Sequence, residues 1–197
     1  MAHKMRRVVA GIVVLGVLAP IASAQVIPTF RKDSATDGRG PLDIVRVAMS
    51  RASDGRLRGE VTMEKAWTTA DLRSAAGPSG SICLTLATAR EPGADPPDWL
   101  VCATPPKTGE DLHGRVLRDR ANGLPREVAA AVVTRPTART VYLRFPQSAI
   151  NRPASVRFAA EAVTRGARCP RPLGCRDTAP DAPATGNLTL RSTAPSG

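Results

Sequence analysis

The chain has 197 residues, of which 28 are basic and 17 acidic, and 42% of its residues are hydrophobic. This length suits one domain that buries a core of its own. Two histidines are present, and His3 lies in the leader described next. The other, His113, alternates with apolar neighbours and is expected to point outward from a strand. Serine–histidine or cysteine–histidine catalysis is therefore disfavoured.

A secretory leader is predicted over residues 1–24. Three positive charges precede an apolar run of twelve residues from Val8 to Ala19, and small residues occupy positions 22–24. This is the order of a cleaved signal peptide, whereas a membrane anchor needs about 20 apolar residues. We therefore expect cleavage after Ala24, export of a single domain over residues 25–197, and no membrane association after cleavage.

The charge of the remaining chain is basic. Without the leader, 25 basic and 17 acidic residues leave a net charge of +8. Such a balance can indicate an anionic partner. Only four of the 28 basic residues of the whole chain are lysines, however, and arginine, alanine, glycine and proline are all abundant, as GC-rich coding sequence produces. The arginines are also scattered along the chain, so we expect no specific nucleic-acid partner.

Four cysteines follow the leader, namely Cys83, Cys102, Cys169 and Cys175. An even number in an exported chain favours disulfides, and the spacing does not match the paired knuckles of a zinc site. If segments 81–87 and 99–104 form a hairpin, Cys83 can lie directly opposite Cys102 within disulfide reach. We therefore predict two local disulfides, the second closing a tight loop between Cys169 and Cys175.

Short segments with the period or composition of strands recur along the chain. The alternation is clearest at 57–63, where odd positions are small or apolar. Proline and glycine punctuate the intervals as turn residues. Helical turns are predicted only within 65–76 and at 147–150, and the proline-rich stretch 169–183 is predicted as a loop. The pattern predicts an all-β antiparallel sandwich of eight or nine strands, at 42–49, 57–63, 81–87, 99–104, 112–118, 128–134, 139–145, 156–162 and 187–191.

Four pieces of the chain resemble a set of secreted actinobacterial β-sandwich domains. They are the opening segment with Asp33, Asp37-Gly38 and Gly40-Pro41-Leu42-Asp43-Ile44, then Ser81-Ile82-Cys83-Leu84, then Phe145-Pro146 with Ser148, Ile150 and Pro153, and finally Cys175-Arg176-Asp177-Thr178-Ala179-Pro180-Asp181. The order Asp37-Gly38 reverses the family's Gly-Asp. The resemblance implies a jelly-roll type of sandwich, similar in style to carbohydrate-binding modules. It implies no reaction.

Calcium is the inorganic partner that the acidic residues fit best. The ion takes six to eight oxygen ligands, often from loop carboxylates. Four aspartates flank the two ends of the domain and would meet if the terminal strands came together, namely Asp33, Asp43, Asp177 and Asp181. The alternatives are that Asp43 and Asp177 accept backbone N–H bonds and fix turns, or that Asp177 pairs with an arginine.

Two aromatic residues are candidates for contact with a glycan. Trp67 lies in a loop-like segment, and Tyr142 is predicted on the outward face of its strand. A carbohydrate-binding site would place both rings on one exposed surface. The alternative is that they fill the edges of the core.

These observations favour a secreted, monomeric, non-enzymatic domain with a binding or structural role. One alternative is a carbohydrate-binding module, stabilised by calcium, whose partner is an extracellular glycan or cell-wall polymer. Another is a carboxylate-dependent hydrolase, which would need two acids facing one cleft. Glu60 with Glu64, or Asp95 with Asp98, are the candidate pairs.

Overall fold

The computed structural model describes residues 29–34, 41–74, 77–88, 98–109, 111–120, 123–164, 169, 175–181 and 184–190. The predicted leader and its cleavage site lie outside these ranges. Within them, no helix combines the length and the apolar character that a membrane span requires. The helical content described is two 3₁₀ helices, Thr69–Leu72 and Gln147–Ile150, which lie in the two segments where the sequence predicted isolated turns.

Strands account for most of the described chain. The strands are β1 (Thr29–Lys32), β2 (Ile44–Arg51), β3 (Leu57–Met63), β4 (Ser81–Ala87), β5 (Trp99–Thr104), β6 (His113–Arg118), β7 (Arg126–Thr134), β8 (Thr140–Phe145), β9 (Ser155–Thr164), β10 (Cys175–Ala179) and β11 (Gly186–Thr189). The predicted all-β class is therefore confirmed.

The predicted number of eight or nine strands is too low. Each of the nine predicted segments overlaps a strand, and the two strands that were missed are β1 and β10. Three of the four residues of β1 are exposed, so no apolar alternation marks it. β10 lies inside the proline-rich stretch 169–183 that the sequence predicted as a loop. Its pairing comes from a distant partner, β9, which no local pattern could indicate.

The strands form one antiparallel sheet in the order β1-β2-β3-β8-β7-β6-β5-β4-β9-β10, with β11 also paired to β9. The meander from β4 to β8 therefore lies between β3 and β9. β7 divides its pairing, because residues through Ala131 pair with β6 and residues from Val132 onward pair with β8. At the far end, β10 and β11 pair with successive lengths of β9. The sheet turns at β7 and curls toward a nearly closed, barrel-like form.

The core lies inside this curled sheet. On β3, Leu57, Gly59, Val61 and Met63 are buried, and the residues between them are only half-buried. Gly59 lets the opposing layer approach, because a Cβ there would lie 1.9 Å from Leu84 Cδ1. Each large apolar side chain removed from water contributes about 1.5–3 kcal/mol. The largest fully buried side chains are Phe145, Phe158, Ile44, Met49, Leu57, Met63, Leu72, Ile82, Leu84, Leu86, Leu143 and Ile150.

Both predicted disulfides are present. Cys83 and Cys102 face each other in the β4–β5 register with a Cα–Cα distance of 4.0 Å. Cys169 and Cys175 are joined across a sequence separation of 6. The first bridge cross-links two neighbouring strands, and the second joins Cys169 to the first residue of β10. No cysteine of the chain is left as a free thiol.

The two ends of the curled sheet are joined by side chains. Asp177 on β10 is buried, with 9% of its surface exposed, and its Oδ2 accepts the backbone N–H of Ile44 on β2 at 2.6 Å. Arg31 Nε on β1 donates to the backbone oxygen of Thr185, just before β11, at 3.2 Å. β1 and β2 are thereby held against β10 and β11 although they share no strand pairing with them. We refer to this junction, formed by Arg31, Ile44, Asp177 and Thr185, as the seam.

Replacement of Asp177 by alanine tests the seam. Asp177→Ala leaves the buried Ile44 N–H without this acceptor, so we expect a loss of about 1–3 kcal/mol in the free energy of unfolding. Urea denaturation followed by circular dichroism measures the loss. The matched control is Asp181→Ala, because Asp181 is exposed and exposed substitutions usually change stability by less than about 0.5 kcal/mol. Equal stability of the two variants would refute this role for Asp177.

Candidate functional site

The two aromatic candidates do not lie on a common exposed surface. Trp67 is 2% exposed and belongs to the core cluster. Its Nε1 donates to the backbone oxygen of Arg139 at 3.3 Å. The guanidinium of Arg135 lies 4.0 Å from the centre of its ring and donates to the backbone oxygen of Trp67. Trp67 therefore fills the edge of the core, which is the alternative that the sequence left open.

Tyr142 has the surroundings of a surface residue. It lies on β8 in register with Glu60 on β3 and Thr134 on β7, while its neighbours Val141 and Leu143 are fully buried. The side chain of Tyr142 therefore points outward, as the sequence predicted, and the residue is half-buried. The guanidinium of Arg58 lies 5.0 Å from the centre of the Tyr142 ring. This stacking holds the ring in place on the sheet.

Charged and aromatic side chains surround Tyr142 on the outer side of β1, β2, β3 and β8. Arg46 Nη1 pairs with Glu60 Oε1 at 2.5 Å, and its guanidinium lies 5.1 Å from the centre of the Phe30 ring. Arg144 Nη2 pairs with Asp54 Oδ2 at 2.7 Å. We define the Tyr142 face as Phe30, Arg46, Arg58, Glu60, Tyr142 and Arg144. It combines two aromatic rings with guanidinium and carboxylate groups. These groups are planar and can form two parallel hydrogen bonds to one partner.

The β2–β3 turn holds one end of the Tyr142 face. Asp54 has a pKa below its ordinary value, mainly because its Oδ1 accepts the backbone N–H of Arg56 at 3.1 Å. Partial desolvation opposes this change, and the positive charge of Arg144 adds to it. The ionised carboxylate of Asp54 thus fixes the guanidinium of Arg144 from the turn.

Three of the four aspartates predicted as calcium ligands, Asp33, Asp43 and Asp177, adjoin the backbone of residues 43–45. The Asp177 carboxylate accepts the Ile44 N–H at the seam, so it fixes backbone as the alternative interpretation expected. Asp43 directly precedes Ile44, and Asp33 N donates to the backbone oxygen of Val45 at 3.1 Å. Asp181 is exposed. Among the residues that the structure describes, no three acidic, histidine or cysteine side chains are grouped as metal ligands. Calcium binding stays a prediction.

A concavity at the β6–β7 hairpin was missed by the sequence analysis. It has a volume of about 440 Å³ and is lined by Arg118, Asp119, Arg120, Arg126 and Val128. Arg118 at the end of β6 and Arg126 at the start of β7 are opposite in register. The available signal was a set of three arginines within nine residues, on either side of a turn. In a chain whose arginines are scattered throughout, such a set does not stand out.

The concavity offers little support for chemistry by paired carboxylates. Asp119 is the one acid among its lining residues. Glu60, which the sequence proposed as half of an acid pair, is paired with Arg46 on the outer side of the sheet. His113 is exposed at the start of β6, as predicted.

The pKa of Asp54 provides a test of the Tyr142 face. Because the folded-state pKa is lowered, ionised Asp54 stabilises the fold above the ordinary carboxyl pKa of about 3.9, and this contribution disappears as the pH falls through the folded-state value. We expect Arg144→Gln to raise the Asp54 pKa toward its ordinary value. The rise should be incomplete, because the hydrogen bond from the backbone N–H of Arg56 remains. Carbon-detected NMR of the Asp54 carboxyl measures it, with Arg126→Gln as the control. An unchanged pKa in Arg144→Gln would rule out the contact.

Comparisons with models of protein families, with curated proteins and with solved structures find no match for this chain. The resemblance to secreted actinobacterial β-sandwich domains consequently rests on the short segments quoted above. Inferences about function rest on the two surfaces just described, the Tyr142 face and the concavity at the β6–β7 hairpin.

Proposed function

We propose that this chain is a secreted, non-enzymatic binding domain that recognises an extracellular glycan or cell-wall polymer on the Tyr142 face. The observation that carries the proposal is the outward-pointing Tyr142, flanked by the Arg58 guanidinium at 5.0 Å and by Glu60 in the neighbouring strand. Aromatic rings offer apolar area at low entropic cost, and planar charged groups bind hydroxyl and carboxylate groups with defined geometry.

The shape of the surface favours an extended ligand. The Tyr142 face spans four neighbouring strands, β1, β2, β3 and β8, whose order is fixed by backbone pairing. Such a face presents its side chains in rows about 4.8 Å apart, which suits a polymer lying across the sheet. Arg46 and Arg144 are paired with Glu60 and Asp54, and Arg58 adds a further positive charge, which favours a polymer that carries acidic groups. The preformed contacts of Arg46 and Arg58 reduce the entropy lost on binding.

The predicted leader and the two disulfides support export. Both bridges are of the kind that persists in oxidising compartments, and none of the four cysteines remains as a thiol. We also propose that the domain works as a monomer and that its sheet is a variant of the jelly-roll sandwich. The divided pairing of β7 supports a two-layered description, because one strand passes from the β6 side to the β8 side.

Removal of the Tyr142 ring tests the proposed function. We expect Tyr142→Ala to weaken binding to the recognised polymer by about tenfold, the usual effect of deleting a central aromatic anchor. Tyr142→Phe retains the ring and should retain most of the affinity. Affinity electrophoresis in gels containing neutral polysaccharides, acidic polysaccharides or purified wall polymer measures the binding, with and without a calcium chelator to test the calcium prediction.

The control variant is Leu124→Ala, since Leu124 is 87% exposed and lies outside the Tyr142 face. It should migrate like the parent protein in every gel. Retention of Tyr142→Ala equal to that of the parent, or no retardation of the parent by any polymer, would overturn the proposal.

A further inference from the structure

We propose that the concavity at the β6–β7 hairpin binds a doubly charged tetrahedral oxyanion, specifically a phosphate monoester. We call its three cationic residues, Arg118, Arg120 and Arg126, the arginine rim. This site is distinct from the Tyr142 face and goes beyond the proposed glycan binding.

The rim gathers positive charge that the protein itself does not neutralise. Among the residues that the structure describes, no carboxylate lies within ion-pair distance of the three guanidinium groups. The acid beside them, Asp119, uses Oδ1 to accept the backbone N–H of Arg120 at 2.9 Å. Three cations against one anion leave a local surplus of two charges, which matches an oxyanion of charge −2.

Arg118 is held in place before any ligand binds. Its guanidinium lies 5.6 Å from the centre of the Trp99 ring, and Trp99 is 4% exposed in the core. The neighbouring backbone is also tied down, because Asp119 N donates to the backbone oxygen of Asp98 at 2.9 Å. A cation fixed in this way loses little side-chain entropy on binding, and a guanidinium binds two oxygens of a phosphate or sulfate at once.

The size of the concavity favours an ester over the bare ion. Its volume of about 440 Å³ lies in the range of small-molecule sites, which is about 300–1,000 Å³. A tetrahedral oxyanion occupies only part of that space. Val128, which is 45% exposed, supplies an apolar wall for the organic group.

The rim and the Tyr142 face lie on different sides of the sheet. Arg118 shares the core-facing side of β6 with Val116, and it projects past the end of the core. Tyr142 lies on the outer side of β8. Loss of one site therefore leaves the other intact, and failure of this proposal is distinguishable from failure of glycan binding.

The two tryptophans make a selective NMR experiment possible. Each carries a stacked arginine, Arg118 on Trp99 and Arg135 on Trp67, but only the first arginine lines the concavity. Titration of the purified, disulfide-bonded protein with glycerol phosphate should move the Trp99 indole N–H signal and leave that of Trp67 unchanged. Inorganic phosphate and inorganic sulfate, added at matched ionic strength, should move the same signal with weaker affinity.

Paired variants give the quantitative test. We expect the double variant Arg120→Gln/Arg126→Gln to bind glycerol phosphate at least about tenfold more weakly, because two charge-assisted contacts are lost. Arg115→Gln is the matched control, since Arg115 is exposed on the opposite side of β6 and its removal also deletes positive charge. Equal shifts of both indoles, or equal loss of affinity in Arg115→Gln, would refute a specific site. Equal affinity for inorganic phosphate and glycerol phosphate would refute the preference for an ester.

Discussion

The hydrogen bond from Ile44 N–H to the buried Asp177 carboxylate is the constraint on which the closed form of the sheet depends. Strand pairing explains every other neighbour in the order from β1 to β10, but it leaves the two ends unpaired. A buried carboxylate is costly unless it accepts hydrogen bonds, and here the donor, the Ile44 N–H, lies across the seam. The same contact therefore compensates the burial of a charge and joins the sheet ends.

Both candidate surfaces follow from how the sheet is ordered and bent. β8 returns beside β3, so Tyr142 comes to lie next to Glu60 although 82 residues separate them. β7 leaves β6 for β8 partway along its length, so its two ends contribute to different surroundings. Its first residue, Arg126, faces Arg118 at the rim, and its last, Thr134, lies beside Tyr142. One bent strand thus separates the two sites.

The sequence predicted the features that have a local signal. Alternation in three segments and strand-like composition in six others located nine strands. Opposite positions on one hairpin located the Cys83–Cys102 bridge, which the structure confirms. The same alternation placed Tyr142 outward. The short strands β1 and β10 lack a pattern of their own and depend on distant partners. The burial of Trp67 and the grouping of the three rim arginines also depend on tertiary packing, which periodicity does not encode.

Arginine in this chain does more than add charge. Of the six aromatic residues, all within the described part of the chain, four carry a stacked guanidinium, namely Phe30, Tyr142, Trp99 and Trp67. Such contacts occur roughly once per 70–80 residues in proteins, so this density exceeds the usual frequency. The two remaining rings, Phe145 and Phe158, are fully buried.

A guanidinium therefore covers each aromatic ring that lies at the edge or outside of the core. Lysine fills this role poorly because its ammonium is a strongly hydrated point charge. The arginines that stack at the Tyr142 face and at the rim are also those that would contact a ligand, so the packing that stabilises the sheet positions the groups for binding.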